Sequence, residues 1–172
     1  MFKYTVIGLA ALVLAGCGEK SDIKDAINKS IGEEEYCYSL QNNDIYFPIE
    51  VRSHPLSRDV SPILTGLVNQ GLITLQKSGY NSYTINLTEK GARTDFWDKN
   101  KGVCVGKREV DEIKEWVEGD SQAIQVTYTE ELTDVPSWVD KKQFSEVGGM
   151  NKPIEKQIVL QKTNNGYRAF KF

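Results

Sequence analysis

The sequence predicts an α+β protein, with an N-terminal helix and hairpin subdomain followed by an antiparallel four-stranded sheet that carries a short helix. Three observations predict this class. In the first half, apolar residues recur at helical spacing in two short segments. From residue 103 onwards, apolar and polar residues alternate as they do in half-buried strands. Turn signals that contain glycine and asparagine separate these runs, which is typical of hairpins.

The first residues have the order of a secretory signal. Lys3 precedes an apolar stretch at residues 6–13, and small residues follow it up to Cys17. The apolar stretch is shorter than the roughly 20 residues that a membrane-spanning helix needs. We therefore expect residues 1–16 to be a signal peptide that is removed from the mature chain.

The four residues that end this signal are informative. Leu14-Ala15-Gly16-Cys17 resembles the lipobox of bacterial lipoproteins. The resemblance implies diacylation of Cys17, cleavage before it and acylation of the new amino group, so that residues 17–20 form a lipidated tether that holds the protein on a membrane. Gly18 stands where an aspartate in enterobacterial lipoproteins retains the protein at the inner membrane. The resemblance therefore favours the periplasmic side of the outer membrane over the inner membrane. The alternative is an ordinary secretory signal with an incidental cysteine.

Charge and cysteine content narrow the functional classes. The chain has 21 basic and 24 acidic residues and no basic stripe, so we expect no nucleic-acid partner. Apart from Cys17, only Cys37 and Cys104 remain, and in an oxidising periplasm they predict one structural disulfide. Two buried free thiols are the alternative. A metal site is disfavoured because two sulfurs have no nearby histidine to complete a ligand set.

Two elements are predicted before residue 60. Apolar residues at helical spacing predict a helix over residues 21–30, and Gly32 ends it. Alternating apolar residues in residues 46–51 predict a half-buried strand. Pro48 lacks the amide hydrogen that a central strand would need, which places this strand at the edge of a sheet.

A helix and a hairpin follow directly. Ser61 can cap a helix whose first position is Pro62, and residues 72–88 alternate on both sides of a turn that contains Ser-Gly. Residues 61–93 together resemble the recognition helix and wing of winged-helix regulators of the MarR type. That resemblance implies DNA binding, but the matching helix has no lysine or arginine with which to contact DNA. We keep the shape as an expectation, with an unrelated helix and hairpin as its alternative.

The second half of the chain is predicted to be a sheet. Residues 103–119 and 121–135 form two extended runs, of which the second alternates strictly. The first run also fits a helix, because Val110, Ile113 and Trp116 are three residues apart. We predict a strand there, since the second run otherwise lacks a hairpin partner.

The last elements complete the predicted sheet. A short helix is expected to begin at Pro136 and to extend towards Phe144, and the Asn165-Gly166 pair predicts a type I′ turn between two further strands. No linker separates the two halves. The boundary is expected near residue 98, giving a helical and hairpin subdomain at residues 21–98 and an antiparallel β subdomain at residues 99–172.

Candidate catalytic residues are few. His54, the single histidine, stands between Arg52 and Arg58 and has no cysteine or serine elbow beside it, so a solvated loop residue is expected. Runs of adjacent carboxylates are expected to be solvated. Six aromatic residues fall around the predicted sheet and line either a ligand pocket or the core: Phe96, Trp97, Trp116, Tyr128, Trp138 and Tyr167.

These observations predict a lipid-anchored envelope lipoprotein that binds a protein or ligand without catalysis. We expect no enzyme activity, no cofactor and no metal, and the sequence assigns no ligand-binding residue. Two alternatives stay open. One is an envelope hydrolase that acts on peptidoglycan or glycan through paired carboxylates. The other is an immunity-type protein that sequesters a toxin or an antibiotic.

Overall fold

A computed structural model describes residues 15–32, 35–40, 46–52 and 61–170. The fold is α+β, with three α-helices, one 3₁₀ turn and two antiparallel sheets in the described part of the chain. The helices are α1 (Ala15–Ile31), α2 (Pro62–Asn69) and α3 (Glu89–Thr94). The strands are β1 (Glu35–Tyr38), β2 (Ile49–Arg52), β3 (Ile73–Lys77), β4 (Ser82–Leu87), β5 (Val103–Glu118), β6 (Ala123–Thr133), β7 (Ile154–Thr163) and β8 (Gly166–Ala169).

The larger sheet is a five-stranded half-barrel with the order β1-β5-β6-β7-β8. The prediction of four strands was one strand short, because β1 comes from the first half of the chain and pairs with the beginning of β5. A four-residue strand carries too little alternation to stand out in the sequence. The predicted strands of the second half are confirmed as β5, β6, β7 and β8.

The helix α1 fills the concave side of this half-barrel. Ile23 and Ile27 are fully buried against the inner faces of β5, β6 and β7. They belong to the same buried cluster as Ile113, Val126 and Leu160 of these strands. The predicted helix is confirmed, and it begins six residues earlier than expected, at Ala15. We call this cluster the α1 core.

The smaller sheet has the order β2-β4-β3, with β2 at the edge as Pro48 predicted. Ser61 caps α2 by accepting a hydrogen bond from the backbone amide of Ile63, as expected. The inner face of the sheet, α2 and the beginning of β5 enclose a second group of buried residues. We call it the three-strand core. Phe144 is buried there against Gly66 of α2.

The predicted short helix after Pro136 is wrong, because residues 134–153 form a succession of turns. Their backbone bonds mostly join residues three apart, as from the Val139 amide to the Pro136 carbonyl and from the Val147 amide to the Phe144 carbonyl (both 3.0 Å). Gln70, the residue that caps the C-terminus of α2, also accepts a hydrogen bond from the Asp140 amide (3.0 Å), and this bond connects the segment to the end of α2.

The last hairpin forms where it was predicted, with a different turn. Thr163 pairs with Gly166, so the two turn residues are Asn164 and Asn165. Of the residues in this hairpin connection, only Gly166 has a positive φ, at 99°. A type I′ turn would need positive φ at both central positions. Gly166 therefore follows the two turn residues and occupies the first position of β8, where its φ is positive.

Candidate functional site

The residue predicted to carry lipid lies in α1. Cys17 is in the first turn of this helix, two residues before Glu19. Ala15 and Gly16, the last two residues of the predicted signal, are also helical, and residues 1–14 lie outside the described residues. Residues 17–20, assigned from the sequence to a tether, are therefore helical. None of the three helices in the described part of the chain has the length and apolar character that crossing a bilayer requires.

A cluster of charged and polar groups fixes the beginning of α1 to the sheet, and we call it the Glu19 clamp. The Tyr167 hydroxyl donates a hydrogen bond to the Glu19 carboxylate. Lys162 Nζ lies 3.6 Å from Glu19 Oε1 and 3.9 Å from Glu118 Oε1. The clamp thus joins the N-terminal part of α1 to β7, to β8 and to the last residue of β5.

The clamp shifts the pKa values of both of its hydrogen-bonded partners. The hydrogen bond from Tyr167 and the charge of Lys162 hold the pKa of Glu19 below its ordinary value, with partial desolvation opposing them. Burial raises the pKa of Tyr167 to about 12, and the hydrogen bond to Glu19 adds to this rise. At neutral pH the bond therefore joins a neutral phenol to a charged carboxylate, which is the stronger class of hydrogen bond.

Two more polar residues of α1 form hydrogen bonds with backbone groups of β5, at the part of its edge that does not pair with β1. Asn28 Oδ1 accepts a hydrogen bond from the Val110 amide (2.9 Å), and Lys24 Nζ donates to the Asp111 carbonyl (3.1 Å). Together with the buried Ile23 and Ile27, these contacts hold α1 along its length. The helix that contains Cys17 is thus part of the folded body.

Cys37 and Cys104 form a disulfide, with their Cα atoms 3.9 Å apart. They stand directly opposite each other on β1 and β5, so the bond links the two halves of the chain within one sheet. Glu35 lies close to both sulfur atoms. Because the sulfurs are bonded to each other, they are not thiolates and this group is not a metal site.

The six aromatic residues divide between the two cores and do not line one pocket. Phe96, Trp97 and Trp138 belong to the three-strand core, where ring centroids lie 5.0 Å apart for Phe96 and Trp97 and 5.8 Å apart for Phe96 and Trp138. The other three pack in the α1 core: Trp116, Tyr128 and Tyr167. Such edge-to-face and tilted contacts stabilise a protein interior.

One carboxylate is buried among the described residues, and it is Glu130. Its Oε1 lies 2.7 Å from Arg108 Nη1, which also donates to the Gly148 carbonyl (3.2 Å). The guanidinium stands 4.0 Å above the centre of the Tyr36 ring. A buried carboxylate whose charge is neutralised by a guanidinium is suited to a structural role.

The remaining titratable residues considered from the sequence add no catalytic arrangement within the described residues. His54, Glu33 and Glu34 lie outside them. Glu112 is paired with Lys114 at 2.5 Å, and both side chains are about half exposed. Asp111 and Glu112 are exposed, as predicted for adjacent acidic residues. The same prediction is wrong for the pair Glu130-Glu131, because Glu130 is buried in an ion pair with Arg108.

A groove of about 580 Å³ runs between α1 and the β7–β8 hairpin. Two basic residues, Lys29 of α1 and Arg168 of β8, are among the residues that line it, together with Asn164 and Asn165. Tyr167 contributes its ring, and no carboxylate is among the described residues that line the groove. The groove can therefore donate hydrogen bonds to an anionic or polar partner.

Sequence reasoning missed the groove and the Glu19 clamp, because both bring α1 together with the β7–β8 hairpin at the other end of the chain. Glu130 had a detectable signal, since it falls in phase with the apolar residues of β6, Ile124, Val126, Tyr128 and Leu132. A charged residue on the buried face of a strand predicts a buried partner. The chain matches no protein-family model, no curated protein and no solved structure.

Proposed function

We propose that this chain is a lipoprotein, attached through acyl chains on Cys17 to the periplasmic side of the outer membrane, and that it binds an envelope partner without catalysis. The pairing of the cysteines supports the lipid anchor, which is the first part of the proposal. Of three cysteines, Cys37 and Cys104 are bonded to each other, which leaves Cys17, the residue at the end of the lipobox-like segment. Disulfides are typical of exported proteins and rare in the cytosol.

The second part rests on the groove between α1 and the β7–β8 hairpin. Lys29 and Arg168 are the two basic residues that line the groove, and no aspartate or glutamate is among its described lining residues. Guanidinium groups bind carboxylates and phosphates through paired hydrogen bonds. The partner that fits is an anionic envelope molecule, such as a peptide or a glycan that carries carboxylates.

Residues 61–93, which resemble a winged helix, have a structural role in this proposal. Four residues of α2 are buried in the three-strand core: Ile63, Leu64, Gly66 and Leu67. The helix has no basic residue, and it packs against the β3–β4 hairpin and the segment around Phe144. We propose that α2 and the hairpin support the fold and do not contact DNA.

Replacing the predicted lipid attachment residue tests the anchor. The Cys17→Ser chain should keep its signal, carry no acyl groups by mass spectrometry and leave the outer-membrane fraction. Gly18→Asp is the matched variant, because in an enterobacterial host it should stay acylated and move to the inner-membrane fraction. Outer-membrane fractionation of Cys17→Ser that equals that of the wild type would contradict the anchor.

Binding in the groove is tested with muropeptides, which carry carboxylates. Titration followed by NMR should perturb the backbone resonances of Lys29 and Arg168, and the Lys29→Ala and Arg168→Ala variants should weaken binding about tenfold each, the effect of one charged hydrogen bond. Lys77→Ala removes an exposed charge from the other sheet and should bind as the wild type does. Equal weakening by all three variants, or flat titrations, would contradict the groove.

A further inference from the structure

We infer that the anchored domain stands directly on the bilayer, with the β5–β6 turn towards the lipid and the three-stranded sheet farthest from it. The inference rests on the lipid anchor proposed above. It adds an orientation, and it identifies the surface that faces the membrane.

The distance along the chain between the anchor and the folded body is very short. Cys17 and Glu19 are two residues apart in one helix, which corresponds to about 3 Å along the helix axis. Glu19 is already held by Tyr167 and Lys162, and Ile23 is fully buried one turn later. No flexible segment separates a lipid on Cys17 from the packed domain.

The Glu19 clamp identifies the end of the sheet that lies near the anchor. Lys162 Nζ lies near both Glu19 and Glu118, so the second turn of α1, which contains Glu19, lies beside the end of β5. The β5–β6 turn at residues 119–122 follows immediately. This turn is therefore the part of the sheet that a bilayer at Cys17 would meet.

The direction of β5 identifies the opposite end. This strand has 16 residues, and at about 3.3 Å each it spans roughly 50 Å, somewhat less with its two irregularities. Its first residues, Val103 and Val105, are buried in the three-strand core together with Ile49 and Ile85 of the smaller sheet. The smaller sheet is thus at the end of β5 that lies away from Cys17.

Depth measurements on the lipidated full-length protein test this orientation. Single thiols are introduced at Val117, which is exposed near the end of β5, and at Asn100, which is exposed in the turn before β5. Cys37 and Cys104 are bonded to each other and Cys17 would be acylated, so a fluorophore labels only the introduced thiol. The protein is reconstituted in phosphatidylethanolamine and phosphatidylglycerol vesicles that contain lipids with a nitroxide on the headgroup.

Quenching should be several-fold stronger for Val117→Cys than for Asn100→Cys. A control chain with 20 Gly/Ser residues inserted between Gly18 and Glu19 gains a root-mean-square reach of about 25 Å, and the difference between the two labels should largely disappear. Equal quenching without the insertion, or stronger quenching at Asn100→Cys, overturns the orientation while the anchor stands. Protein that does not float with the vesicles overturns the anchor, and the orientation with it.

Discussion

Neutralising Glu130 should lower the free energy of unfolding by about 2 to 3 kcal/mol. A buried charge that loses its partner costs about 3 to 5 kcal/mol. In the Glu130→Gln protein, Arg108 would still donate a hydrogen bond to the Gly148 carbonyl and lie over the Tyr36 ring. Because 18% of its side chain is also exposed to water, we expect a smaller loss of stability. With a urea slope of about 2 kcal/mol/M, the unfolding midpoint should fall by about 1 M.

Two further variants isolate the cause. Replacing both partners in Arg108→Met/Glu130→Leu removes both charges, and stability should return to within about 1 kcal/mol of the wild type. The exposed pair of Glu112 and Lys114 is the matched control, because Glu112→Gln removes a solvated charge and should leave the urea midpoint close to that of the wild type. A Glu130→Gln midpoint equal to that of the wild type, or a double variant less stable than Glu130→Gln, would refute the reasoning.

Three other perturbations have defined outcomes. Replacing Cys37 and Cys104 by alanine, which opens a link over 67 residues, should lower stability by about 4 kcal/mol in urea unfolding, and a loss below about 1 kcal/mol would contradict this. Gly66→Ala brings a Cβ atom to 2.4 Å from the buried Phe144 ring, so calorimetry should show a lower melting temperature despite a helix gain of about 1 kcal/mol. Folding lowers the pKa of Glu19 below its ordinary value of 4.5. The contribution of Glu19 to the free energy of unfolding is therefore complete above pH 4.5 and is lost as the pH falls through the pKa of the folded state. The stability difference between the wild type and Glu19→Gln should therefore narrow only below that pH.

The ambiguity of residues 103–119 in the sequence has a physical origin in the sheet. The inward residues of β5 include Val110, Ile113 and Trp116, three residues apart as in a helix. Register shifts between Val110 and Glu112, and between Ile113 and Glu115, each add one residue to the strand. A strand with two such bulges loses its period of two. The need for a hairpin partner, and not the spacing, predicted the strand correctly.

Elements with local signals were predicted well, and elements formed by distant contacts were not. The caps of α2 and the last hairpin have their signals within a few residues. The strand β1 exists because it pairs with β5, which begins 65 positions after Tyr38. The segment after Pro136 adopts turns because it packs against α2 through Gln70. Tertiary contacts of this kind leave no periodic pattern in the sequence.

The same distinction applies to the candidate site. The cysteine pair was predicted from compartment and number, and the structure contains it. The aromatic residues could be assigned to a core or to a pocket only after the sheet had been formed, because alternation gives the side of a strand but not what covers it. The groove needs the relative placement of Lys29 and Arg168, 139 positions apart in the chain.

The polar contacts of α1 with β5 have a consequence for association between copies of the protein. Within the described residues, β5 has no second strand partner beyond Lys107, so residues 108–118 form a long open sheet edge. Asn28 and Lys24 of α1 form hydrogen bonds with backbone groups of this edge, the Val110 amide and the Asp111 carbonyl. A molecule in which α1 is pulled away from the sheet would present free amide and carbonyl groups to another chain. The helix that contains Cys17 therefore also protects the domain from edge-to-edge aggregation.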